Sequence, residues 1–176
     1  MYKKLSLFVF AFGLISCNQQ EEPKANTDLL YFDIKGYFTK EVSRLNRTNP
    51  QIVKQVLINN TTESKTINVK DWDKELAIFS NADINKSSWR GSFAVNKTPN
   101  SEHYTSASKK IPVEDVLIEK QNQQVKKIQI IISNKNILYT SGDTLTYYPD
   151  SLYQITKYQK IKLLNPKRYQ VSGRFK

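Results

Sequence analysis

Apolar side chains first recur at intervals of three and four, through Leu30, Ile34, Tyr37, Phe38, Val42 and Leu45, which places them on one stripe of a helix. Asn26 or Thr27 is positioned to cap that helix. It should end near Thr48, because Pro50 disfavours helical geometry in the residue before it. Gly36 is the weak point inside the pattern. The period then changes. Ile52 to Ile58 is rich in branched residues, 59 to 64 is a turn cluster, and 65 to 69 alternates, a combination that predicts a hairpin. Asp71 follows as the cap of a short helix with Trp72, Leu76, Phe79 and Ala82 along one side. Its acids Asp71, Asp73 and Glu75 fall in the first turn, where the helix dipole favours them; a catalytic carboxylate cluster is the sharper alternative.

Beyond Trp89 only strand signals remain, at 90–95, 102–108, 113–119, 125–132, 136–140, 144–148, 152–163 and 168–175. The turn signals between them include Ser133-Asn134-Lys135, Gly142-Asp143, Pro149-Asp150 and Asn165-Pro166-Lys167. Connections this short join antiparallel neighbours, and no βαβ alternation is present. The predicted fold class is therefore α+β: a large curved antiparallel sheet or half-open barrel, with two helices near the N-terminus. In element order alone this resembles the half-open barrels of periplasmic and outer-membrane lipoprotein carriers. In the strand from Tyr153 the core phase runs Tyr153, Ile155, Lys157, Gln159, Ile161, Leu163, so two polar groups interrupt an apolar face. Either a bulge turns Tyr158 inward, or Lys157 and Gln159 point into a ligand pocket.

The N-terminus is organised differently. Lys3 and Lys4 precede an apolar run from Leu5 to Ile15, too short for a permanent span of about 20 residues and laid out as a signal peptide. The run closes on Leu14-Ile15-Ser16-Cys17, and Cys17 is the only cysteine in the chain. This tetrad resembles the lipobox of bacterial lipoproteins, with a branched apolar residue at −3 and a small one at −1. The resemblance implies cleavage between Ser16 and Cys17, a diacylglycerol thioether on the Cys17 sulfur and an acyl group on its amine. A thiolate suits that role as a soft nucleophile, and several acyl chains anchor stably where one does not. The implied organisation is a cleaved signal peptide (1–16), a lipidated tether (17–26) and one globular domain (27–176). Asn18, which is not the aspartate of inner-membrane retention, favours the outer membrane. The Gln19-Gln20-Glu21-Glu22 cluster resembles the export tag of surface lipoproteins in Bacteroidota, and a plain polar tether accounts for the same letters.

Charge modifies this picture little. The chain carries 27 basic and 16 acidic residues; without Lys3 and Lys4 the balance is +9, and from Ser151 onward there are seven bases and no acid. An envelope location points that basicity away from nucleic acid and toward lipid headgroups, glycans or envelope proteins. Alternation also puts Arg168, Gln170, Ser172, Arg174 and Lys176 on the wet face of a strand opposite Tyr169, Val171, Gly173 and Phe175. Enzyme signatures are missing from the sequence: His103 is the lone histidine, without metal-ligand spacing, and no nucleophile elbow, phosphate loop or dinucleotide fingerprint occurs. No catalytic residue, metal or cofactor is expected apart from the acyl groups on Cys17. Thr144 and Ser151, each following an aspartate, resemble the Bacteroidota O-glycosylation sequon, although turns also favour Asp-Ser and Asp-Thr. The expected function is a membrane-anchored envelope lipoprotein acting as a non-enzymatic binding module for a protein or glycan. The alternative is a carrier of a hydrophobic ligand in a half-barrel cavity.

Overall fold

A computed structural model describes residues 29–59 and 61–176. Ser16, Cys17 and the expected caps Asn26 and Thr27 lie outside them. Two helices, α1 (Ile34–Thr48) and α2 (Trp72–Asn81), pack on one face of a nine-stranded antiparallel sheet that is curved and not closed. The strands are β1 (Gln51–Ile58), β2 (Thr61–Asn68), β3 (Ala94–Thr98), β4 (Ser101–Thr105), β5 (Val113–Gln121), β6 (Gln124–Lys135), β7 (Tyr139–Tyr148), β8 (Leu152–Ile161) and β9 (Lys167–Phe175). Their order, β2-β1-β9-β8-β7-β6-β5-β4-β3, is a seven-strand meander whose last member returns to the first hairpin.

Helix α1 begins one turn later than its apolar stripe implies. Asp33 is the cap, its Oδ1 accepting from the Gly36 amide at 2.7 Å. Leu30 is left half exposed and non-helical, whereas Ile34, Phe38, Val42 and Leu45 are buried. Gly36 belongs here because a Cβ at that position would sit 2.0 Å from the capping carboxylate. Helix α2 starts as expected, with Asp71 accepting from Lys74 N at 3.0 Å. Both helices bury aromatic rings against the sheet. Phe38 and Phe79 meet at 5.0 Å and both meet Tyr147, while Trp72 stacks on Phe175 at 5.7 Å. All buried hydrophobics form one cluster, and each large side chain removed from water there is worth about 1.5–3 kcal/mol.

Three strand expectations need correction. Thr61 to Ser64, expected in the turn of the first hairpin, are strand residues of β2 paired with Gln55 to Ile58 of β1. Residues 136–140 and 144–148 do not form separate strands about a Gly142-Asp143 turn; β7 runs unbroken, pairing Gly142 with Ser133 and Tyr158, and Asp143 with Ile132 and Lys157. The true turn is at Asn136, whose Oδ1 accepts from the amides of Leu138 (2.8 Å) and Tyr139 (2.9 Å). Ser133-Asn134-Lys135 consequently stays within β6. The segment expected as a strand from Arg90 begins instead as a turn at Arg90 and Gly91, directly after a 3₁₀ turn over Ser87–Trp89. Gly91, at φ 74°, redirects the chain before β3 starts at Ala94.

Candidate functional site

Three buried tyrosines, Tyr104, Tyr147 and Tyr153, stand on the inner face of the sheet, each fully enclosed by protein. A buried phenol needs a hydrogen-bond partner, and each hydroxyl finds a glutamate that is itself paired with a cation. Tyr147 donates to Glu41 of α1 at 2.6 Å, and Glu41 holds Arg44 at 2.8 Å. Tyr153 donates to Glu75 of α2 at 2.5 Å, and Glu75 holds Lys54 at 2.7 Å. Tyr104 donates to Glu102, which also binds Lys120 and Lys97. Burial, reinforced by the adjacent glutamate, pushes all three phenols well above their ordinary range. Burial alone would raise the Glu102 carboxyl, but hydrogen bonds from Lys120, Tyr104 and Lys97 outweigh it and hold the group at about 2. Every member is engaged, so these clusters act as bolts between helix and sheet or between strands. Glu75, expected to complement a helix dipole or, alternatively, to join a carboxylate cluster with Asp71 and Asp73, is one of them.

The Tyr153 ring also lies across Gly173 on β9, its Cα partner. A Cβ there would approach Tyr153 Cε1 to 2.1 Å, so glycine is required by the close approach.

Lys157 and Gln159 are exposed. Strand β8 pairs with β7 and β9 without a register shift, so no bulge turns Tyr158 inward. The inner face extends beyond the tyrosine Tyr153, and on this extension Lys157 pairs with its cross-strand partner Asp143 at 3.1 Å. Nearby, on the β1–β2 hairpin, Lys54, Val56, Glu63, Lys65 and Ile67 line an open cleft of about 530 Å³. On the outer face, Gln55, Gln154, Gln170, Ser172 and Arg174, with Val53 and Leu152, line a trough of about 220 Å³. Its lining of amides, one hydroxyl and one guanidinium offers both donors and acceptors to a polar partner. Thr144 and Ser151 are both exposed, Thr144 mid-strand and Ser151 at the β7–β8 turn.

His103 does not meet a nucleophile. Its Nε2 lies 2.7 Å from Asp115 Oδ2 on the next strand, and no serine hydroxyl bonds to it among the described residues. Among those residues no group of three His, Cys, Asp or Glu side chains could hold a metal, and no helix is long and apolar enough to cross a membrane. The molecule thus belongs to the α+β class with an open antiparallel sheet covered on one face by helices. Comparison with models of protein families, with curated proteins and with solved structures finds no match to this chain.

Proposed function

We propose that the chain is a lipoprotein of the cell envelope, anchored in the outer membrane through acyl groups on Cys17, whose domain is a non-enzymatic binding module. The observation that carries this reading is the tetrad Leu14-Ile15-Ser16-Cys17 after a basic and apolar leader, with no second cysteine to claim the thiol. The fold favours a binding module over a carrier, because Phe38, Trp72, Leu76 and Phe79 of the helices occupy the inner space that a hydrophobic cargo would need. The polar outer trough suits a glycan or peptide, with Gln154, Gln170 and Arg174 as its hydrogen-bonding groups. Metabolic labelling with an alkynyl palmitate analogue tests the anchor. Wild-type protein should take up label and Cys17→Ala should lose essentially all of it; label retained by the variant contradicts the reading.

A further inference from the structure

The strands place three hairpin tips at one end of the sheet: the β1–β2 turn after Ile58, the β6–β7 turn (136–138) and the β8–β9 turn (162–166). Backbone bonds tie them to one another or to their neighbours, Lys162 N to Leu138 O at 2.8 Å and Asn59 N to Arg168 O at 3.1 Å. Large apolar side chains stand exposed there. Leu163 is 96% exposed, Ile137 89%, Leu138 67% and Leu164 60%, with Ile58 and Ile161 behind them. Leu163 is also held at φ 69°, a left-handed conformation that leucine rarely adopts. Exposed cations surround these residues, namely Lys135, Lys160, Lys162, Lys167 and Arg168, and none forms an ion pair among the described residues. The opposite end carries Asn100, Asn122, Gln123, Asp150 and Ser151 at its turns instead.

We propose that this end inserts into the headgroup region of a bilayer containing anionic lipids, Leu163, Leu164, Ile137 and Leu138 entering the acyl boundary while the lysines contact phosphate. Charge selects the occupant: a second copy would bring an equal ring of cations against the first, whereas an anionic lipid surface neutralises it. Shape agrees, since apolar turns at the end of a sheet suit a deformable interface, and lysine stems can lie along apolar surface with their ammonium groups in the headgroups. The inference deepens the envelope reading by supplying a second, non-covalent membrane contact. It is testable apart from the Cys17 anchor.

The test uses the full chain carrying Cys17→Ala, so that no acyl group is present, with a single new cysteine labelled by the environment-sensitive dye NBD. Leu163→Cys reports the tip and Gln123→Cys the opposite end. On phosphatidylcholine vesicles containing phosphatidylglycerol, NBD at 163 should brighten and shift to the blue while NBD at 123 stays water-like. Adding Lys160→Glu and Lys162→Glu should lower vesicle affinity by about tenfold or more. Three results overturn the proposal: a water-like dye at 163 on vesicle-bound protein, an equal shift on pure phosphatidylcholine, or a shift that grows with protein concentration without vesicles. The last would identify a second copy as the occupant.

Discussion

Glu102 is the residue whose chemistry departs furthest from the ordinary, because Lys120, Tyr104 and Lys97 all converge on one mostly buried carboxylate. It titrates at about 2 in the folded protein against 4.5 for the free group, so the folded state prefers it ionised. The stability it contributes is complete above about pH 4.5 and is lost as the pH falls toward 2. Glu102→Gln should therefore cost about 2 kcal/mol at neutral pH, as expected for lost charge-assisted hydrogen bonds. Its urea midpoint should then vary less than that of wild type between pH 5 and pH 2.5. An unchanged pH slope would mean that the cluster is not assembled in solution. None of the three tyrosine–glutamate clusters was legible in the sequence, for a physical reason: their members are far apart in the chain, 106 positions for Glu41 and Tyr147 and 78 for Glu75 and Tyr153. Only the fold brings them together. Even the Tyr104 cluster, local at Glu102 and Tyr104, needs Lys120 from the neighbouring strand.

Elements were legible wherever hydrophobic period and capping chemistry agreed, and misplaced where a polar side chain decided alone. Helix α2 is capped by Asp71 as its pattern implies, and the β1–β2 hairpin forms where expected, although its turn is shorter because Thr61 to Ser64 pair within it. For α1 the apolar stripe extends upstream of the true start, because Leu30 continues the spacing although Asp33 terminates the helix by capping Gly36. A similar competition misdirected the β6–β7 turn. Gly142-Asp143 has the composition of a turn, but both residues are paired on two sides, and Asn136 makes the turn through its own side-chain oxygen. Asn136→Ala removes two hydrogen bonds from that exposed turn and should lower stability by about 1 kcal/mol. Amide hydrogen exchange is expected to accelerate at Leu138 and Tyr139 and to stay unchanged in α1; uniform protection across the turn would argue against the Asn136 assignment.

The whole molecule divides its surfaces by chemistry. Helices cover the inner face, an amide-lined trough opens on the outer face, and two apolar tips flanked by lysines project from one end. The α+β class and the antiparallel meander followed from short turns and the lack of βαβ alternation, so the architecture was open to sequence reading. The tips were not, because the exposed leucine at 163 looks in one dimension like the continuation of a buried strand phase. Their exposure depends on where β8 stops, at Ile161. A lipid anchor at Cys17 and a membrane-seeking tip would hold such a domain at two points, leaving its outer face free for a partner. The anchor is the central claim, and its most direct test is mass spectrometry of the N-terminal peptide from protein extracted from membranes. The account predicts a peptide beginning at Cys17 and heavier by a diacylglyceryl group and an amide-linked acyl chain. A peptide with unmodified Cys17 still joined to Ser16 would contradict it.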